Sequence, residues 1–264
     1  MSKKRRILIL TVVLIFALSL VLYGNLTVGS TNIDITSDNL PMSFHGFRIA
    51  HVSDLHNSHL WKQVVHLLQE NKPDIICITG DMVDFNNTNV DIALAFAAEA
   101  VKIAPCYYVT GNHEVVIGEK DYEKLISGLE MLGVCVLDNE AVILERGDEE
   151  ISLVGTTWGS SLYQGELSEY EGYKLLLAHD PQYFESYQEA GYDLVLTGHV
   201  HGGQFRVPLI GGLYGPGQGL FPKYDSGLYS TGDCNMVVSR GVGNSAFPVR
   251  LNNRPEVIFI TLRT

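Results

Sequence analysis

Asp54, His56, Asp81, Asn112, His113, His179, His199 and His201 are all oxygen or imidazole donors, and each stands just past a short apolar run. They fall in HVSDLHN (51–57), CITGDMVD (77–84), VTGNHE (109–114), LLLAHD (175–180) and LTGHVHGG (196–203). A buried strand that breaks at Gly80-Asp81 delivers a carboxylate to the carboxyl edge of a sheet. The set contains no thiolate. It suits two metal ions with mixed oxygen and nitrogen ligation, manganese, zinc or iron, since magnesium and calcium want fewer imidazoles. Asp54 and His56, two apart, can converge on one ion, and His199 and His201 repeat that spacing. Asp81 can offer one oxygen to each of two ions, with Asn112 and His179 as neutral donors. Two ions about 3.5–4 Å apart activate a bridging hydroxide and bind phosphoryl oxygens for in-line attack. His113 directly follows a ligand and is then the expected proton donor to the leaving oxygen, oriented by Asp84 or Glu114. A lone histidine at a strand end is usually hydrogen-bonded core or loop. Five such motifs in order carry the reading.

The elements that must position these donors are legible from periodicity. An edge strand is expected over 27–36, then strands at 47–53, 74–79 and 105–110 alternating with helices at 60–69, 90–102 and 119–131. That order at that spacing is parallel βαβ, whose loops share one edge. A hairpin follows at 141–145 and 151–155, turning at Gly147-Asp148-Glu149. Residues 158–173 read as a loop. Strands are expected at 174–178, 193–197, 227–231, 236–241 and 256–262, with a helix opened by Pro181 between the first two. The tally fits an α/β, four-layer α-β-β-α sandwich of two mixed sheets flanked by helices.

The apolar fraction of 46% and charged fraction of 18% are those of an ordinary folded domain, and 264 residues suffice for one full core. Lys3, Lys4, Arg5 and Arg6 are four of 18 basic residues, so the rest of the chain sets 14 against 30 acidic ones and carries −16. Such a surface repels a nucleic-acid backbone, and no nucleic-acid partner is expected. Ile7 to Tyr23 has no charge over seventeen residues. It reads as a transmembrane signal anchor at 7–23 after a basic cytoplasmic stub at 1–6, with a linker and edge strand at 24–44 and the catalytic domain at 45–264. The positive-inside rule puts that domain on the outer face of the cell membrane. Cleavage near 24–30, giving an exported domain, and twin-arginine export are the alternatives. Cys77, Cys106, Cys135 and Cys234 lie far apart in apolar runs and are expected to be buried free thiols.

Asp54-Leu55-His56, Gly80-Asp81-Met82-Val83-Asp84, Gly111-Asn112-His113-Glu114, His179 and Gly198-His199-Val200-His201 together resemble the signature of the calcineurin-like metallophosphoesterase superfamily. The resemblance covers about residues 45–262. It implies a first metal held by Asp54, His56, Asp81 and His201, a second held by Asp81, Asn112, His179 and His199, and His113 against the scissile phosphate or leaving group. Gly202-Gly203-Gln204, the run at 208–213, Ser239-Arg240-Gly241 and Pro255-Glu256-Val257 look like the bacterial membrane-associated, phosphodiesterase-like branch. That branch implies a diester or pyrophosphate substrate, as a small molecule or a phospholipid of the cell envelope. A phosphomonoesterase of the same fold and a catalytically silent scaffold are the rivals. Asn57 is expected to touch substrate or serve a turn, and Arg240 to clamp a phosphate or form an ion pair. His45, His51, His59 and His66 read as structural or surface residues. The apolar, glycine-rich stretch 208–221 lies against acyl chains or the bilayer, or is an ordinary packed loop.

Overall fold

In the computed structural model, which describes residues 2–159, 171–245 and 247–264, every strand that carries a donor is buried on both faces. The first sheet contains β1 (Gly29–Thr36), β2 (Arg48–Val52), β3 (Ile75–Thr79), β4 (Cys106–Val109) and β5 (Cys135–Val136). The second contains β6 (Ala141–Arg146), β7 (Glu149–Gly155), β8 (Lys174–Leu177) and β9 (Leu194–Thr197). Two short hairpins follow, β10 (Arg206–Val207) with β11 (Gly211–Gly212) and β12 (Tyr214–Gly215) with β13 (Gly219–Leu220). The chain closes with β14 (Gly227–Thr231), β15 (Cys234–Val238) and β16 (Glu256–Arg263). The sheet orders are β1-β16-β2-β3-β4-β5 and β14-β15-β9-β8-β7-β6, both mixed.

The alternation along β3 shows why two faces are needed. Ile75 and Cys77 join a core between the sheets, shared with Leu153, Leu175, Leu177 and Leu196. Ile76 and Ile78 face the other way, against Val64, Leu68, Phe96, Ala97, Leu125 and Leu129. Those six come from α2 (Trp61–Asn71), α3 (Val90–Ala100) and α4 (Glu119–Met131). The outer face of the second sheet packs Leu176, Val195 and Met236 against Phe184 and Tyr187 of α5 (Phe184–Glu189). The result is the expected α-β-β-α order of layers.

Some boundaries move. α2 runs two residues past the expected end because Lys72 takes a left-handed cap (φ 46°) and its N–H donates to the Leu68 carbonyl at 2.9 Å. β15 begins at Cys234 and ends at Val238, since its parallel pairing to β9 runs only from Asn235 to Val238 and the chain then turns toward the donors. The stretch 208–221 holds β11, β12 and β13, which with β10 make the two hairpins, and it exposes Leu209, Ile210, Leu220 and Phe221. The expected loop at 158–173 falls largely outside the described residues. All four cysteines are free, three buried and Cys135 half-buried.

Among the described residues one helix, α1 (Lys3–Leu26), is long and apolar enough to cross a membrane. Its 24 residues span about 36 Å, against a hydrocarbon core of about 30 Å. The helix takes in the basic cluster and runs beyond the apolar run at both ends. β1 follows it as an edge strand, parallel to β16 from Gly29 opposite Glu256.

His51, on β2, is fully buried, with Nε2 2.8 Å from the Thr79 hydroxyl. Burial pulls its pKa from 6.5 down to about 4, outweighing the pull of Asp54 and Glu256. The folded state therefore holds it neutral where the unfolded chain would be protonated. Its contribution is complete above pH 6.5 and is lost as pH falls from 6.5 toward 4, about 3 kcal/mol in all. Urea unfolding at pH 7.5 and pH 4.5 is expected to show this loss, and His51→Gln to reduce it.

Candidate metal centre

The donors meet at the carboxyl end of β2, β3, β4, β8 and β9, where each strand leaves its apolar run. Asp54, His56, Asp81, His199 and His201 all adopt left-handed backbone, with φ between 42° and 68°. Non-glycine residues enter this region rarely, and each such case costs about 1–3 kcal/mol. Five at one end of a sheet are held there by their surroundings. Gly111 shows how tight those surroundings are: a Cβ on it would lie 2.2 Å from Asp81 Oδ1 and 2.7 Å from Asp81 N.

Asp81 is the centre. Its Oδ2 lies 3.5 Å from His56 Nε2 and 3.3 Å from His179 Nε2, while Oδ1 accepts the His113 backbone N–H at 2.9 Å. On one side, His56 Nε2 is 3.1 Å from His201 Nε2 and 3.8 Å from Asp54 Oδ1, and His201 Nε2 is 3.5 Å from the same oxygen. On the other, His179 Nε2 is 3.1 Å from Asn112 Oδ1 and 3.2 Å from His199 Nδ1. Four donors at about 2.1 Å from a common tetrahedral centre stand about 3.4 Å apart. The observed separations run from 3.1 to 3.8 Å in the first group and from 3.1 to 3.3 Å in the second, close to that edge length, so the residues fit two ions that share Asp81.

Neighbouring groups set the ligand orientations. His179 Nδ1 donates to the Thr79 carbonyl at 2.6 Å, which leaves Nε2 facing the other donors. The Asp54 carboxylate accepts the His199 N–H at 3.1 Å. Asp84 Oδ2 sits 3.6 Å from His56 Nδ1 and 4.0 Å from His113 Nδ1, between the two rings. Burial pulls His199 and His201 down to about 4 and about 3, leaving neutral lone pairs as ligation requires. Burial opposes a charge on His179, yet Asp81 lifts it to about 10. An ion arriving there must displace a proton.

The Phe85 N–H donates to His113 Nδ1 at 3.1 Å, so a neutral ring carries its proton on Nε2. That atom lies 3.9 Å from Asp81 Oδ2 and 3.3 Å from the Ser245 hydroxyl. Burial keeps the ring below its ordinary range, against the pull of Asp81. Of the two expected orienting residues, Asp84 is near the ring and Glu114 is elsewhere. Glu114 is fully buried, accepts the N–H groups of Asp81 (2.9 Å) and Gly111 (2.8 Å), and so ties the two central loops together. Burial and Asp81 raise its pKa to about 7.

The two expected substrate contacts have structural partners. Arg240 is ion-paired with buried Glu256, and Asn57 donates to the carbonyl of Asn87, thirty residues on, at 2.6 Å. Among the remaining histidines, His59 is exposed.

Arg250 escaped the sequence reading. It is fully buried, with Nη2 3.2 Å from His201 Nδ1 and further bonds to the carbonyls of Arg240 (2.5 Å) and Gly243 and to Asn244 Oδ1 (2.8 Å). Two arginines in 248–255, Arg250 and Arg254, carry no spacing signal. Lysine cannot reproduce this fork. Arg250→Lys is expected to lower stability by about 3 kcal/mol, since buried carbonyls lose their donors, with weaker metal retention; urea unfolding and metal analysis test both.

Two cavities open on the donors. One of about 130 Å³ is lined by Asp81, Asn112, His113, His199, Tyr214 and Phe247. The other, of about 370 Å³, is lined by Trp158, His179, Asp180 and Tyr183. The Trp158 ring centre is 4.9 Å from that of His199.

A mixed double sandwich with this donor arrangement defines a metal-dependent phosphoester hydrolase. The chain belongs to the calcineurin-like phosphoesterase family, whose model matches residues 47–203, a span that holds every ligand named above and His113. It is 34% identical over 229 residues to phosphodiesterase YaeI of Escherichia coli (strain K12), covering 82% of each chain. It is 31% identical over 253 residues to the uncharacterized metallophosphoesterase YkuE of Bacillus subtilis (strain 168), covering 90% of this chain and 86% of that one. A transmembrane protein with metallophosphoesterase domain from Danio rerio is 28% identical over 257 residues, 88% of this chain and 56% of that protein.

Proposed function

We propose that this chain is a membrane-anchored phosphodiesterase using two metal ions, manganese, zinc or iron, to hydrolyse a phosphodiester or pyrophosphate of a lipid or cell-envelope substrate. The observation that carries it is Asp81 Oδ2 lying within 3.5 Å of imidazoles from both donor groups, with His113 Nε2 beside it. Asp54, His56, Asp81 and His201 would hold one ion, and Asp81, Asn112, His179 and His199 the other. When bound, such ions supply positive charge to phosphoryl oxygens and a nucleophile at neutral pH.

The chain's own residues do the rest. His113 presents the Nε2 proton to the leaving oxygen, with the Phe85 N–H fixing its tautomer. Asp84, 3.6 Å from His56 Nδ1, faces that ring and lies beside His113. Two cavities reaching the donors give room for more than one substituent on a phosphate, which suits a diester or pyrophosphate better than a monoester. The name of YaeI supports the same choice. A buried, intact donor set speaks against a silent scaffold. The basic stub at 1–6 and anchor at 7–23 would place the domain at 45–264 on the outer face of the membrane.

The test compares bis-p-nitrophenyl phosphate with p-nitrophenyl phosphate after removal and return of manganese, zinc or iron. Metal-dependent turnover that favours the diester supports the reading; turnover of the monoester alone overturns the substrate class.

A further inference from the structure

Strand directions sort the loops into two ends. β2, β3, β4, β8 and β9 finish at the donors. β16 is antiparallel to β2 and so starts there, and β1, parallel to β16, starts there as well. α1 therefore joins the domain at the donor end. β15 is parallel to β9 and finishes at that end, while β14, antiparallel to β15, begins there. The loops 198–226 and 239–255 thus both lie wholly beside the donors.

Their surface is unlike the rest of the domain. They expose Leu209, Ile210, Leu220, Phe221, Phe247 and Leu251, with Leu209 fully open at 109%. Among the described residues outside α1, only Met42 and Met131 are exposed large apolar side chains at the opposite end. The same two loops hold one acid, Asp225, in a chain of net charge −12; of their basic residues Arg250 is buried, and Arg206, Lys223 and Arg240 pair with Asp225, Glu185 and Glu256, so the rim is close to neutral. An apolar rim without excess acidic charge is the composition that settles into a bilayer interface.

The end of α1 is fastened to this rim. Asn25 Nδ2 donates to the Arg250 carbonyl at 2.9 Å, and the Arg250 N–H donates back to Asn25 Oδ1 at 2.7 Å. The Arg254 Nε donates to the Thr27 hydroxyl at 2.8 Å, and its guanidinium lies over the Tyr23 ring at 4.6 Å. Leu251 in turn pairs with Phe205, and its carbonyl accepts the Arg206 N–H at 3.0 Å, joining both loops. Phe247 belongs to the rim and to the wall of the smaller donor cavity.

We propose that the rim formed by 205–221 and 247–251 docks on the bilayer that α1 enters, so that the donor cavity opens onto the lipid headgroups. A tether of this kind makes even weak docking persistent, because the surface is always within reach. The inference rests on the proposed phosphodiesterase reading only for what is cleaved, a phosphate or pyrophosphate held in a lipid headgroup.

The test uses the full chain in vesicles of phosphatidylethanolamine and phosphatidylglycerol, with and without brominated acyl chains that quench tryptophan. Ile210→Trp and Leu209→Trp each add emission to the parent chain, and Asp148→Trp, in the exposed turn at the opposite end, is the control. Docking predicts that the added emission at 209 or 210 falls at least twofold in brominated vesicles while that at 148 does not change. Equal response at both ends, or none at 209 and 210, overturns the proposal. Turnover of soluble bis-p-nitrophenyl phosphate in the same vesicles is read separately. Turnover without quenching overturns docking and leaves the phosphodiesterase reading in place; quenching without turnover does the reverse.

Discussion

Asp81→Asn is expected to leave a folded chain that retains at most one ion and turns over bis-p-nitrophenyl phosphate at least about 100-fold more slowly. Asparagine is the informative replacement because residue 81 has a φ of 52°, a region that asparagine tolerates and alanine does not. It keeps the shape and one oxygen while removing the charge that both donor groups share. Losing an outer partner of a ligand already costs about 10–100-fold in affinity or activity. Losing the shared ligand reaches both sites at once, since Oδ2 faces His56 and His179 alike. Metal analysis beside circular dichroism separates a lost site from a lost fold. Two retained ions with undiminished turnover would remove Asp81 from the centre of the account.

The second large effect is on His113. His113→Gln is expected to lower kcat by about 10²–10⁴ with both ions retained, the range for a lost general acid. A proton donor matters most when the leaving oxygen is basic, so the loss should be greater for a phenyl ester than for a p-nitrophenyl ester. The same loss on both esters, or loss of metal, would show that His113 acts by another route. The Phe85 N–H on Nδ1 is what makes the two nitrogens unequal, and it comes from backbone that no substitution at Asp84 removes.

What could be read from the chain, and what could not, divides along a physical line. Ile75 to Thr79 is apolar without interruption because β3 is buried on both faces, and the break at Gly80 marks where it leaves the core. The same logic placed the other donor loops at strand ends, and the layers followed from the alternation of strands and helices. Features that depend on contacts between distant segments left no local trace. Arg250 reaches His201, Gly243 and Asn25, the last 225 positions away, and nothing in its neighbourhood of sequence announces that. Glu114 sits beside His113 in sequence, yet its carboxylate turns back to the N–H groups of Asp81 and Gly111, a choice made by the way β3 and β4 lie side by side. The left-handed backbone at Asp54, His56, Asp81, His199 and His201 is likewise a property of the assembled end of the sheet. Lys72, in its left-handed cap, carries α2 to Asn71, past the end expected at 69.

The central claim is that one carboxylate joins two metal sites in a working phosphoesterase, and the most direct measurement is of metal and turnover on the same sample. The full chain in detergent is stripped, reloaded with manganese, freed of excess metal, and then analysed for manganese per chain and for hydrolysis of bis-p-nitrophenyl phosphate. The account predicts two ions per chain and hydrolysis that vanishes on stripping and returns on loading. A folded chain that binds no manganese, zinc or iron and hydrolyses nothing would contradict it.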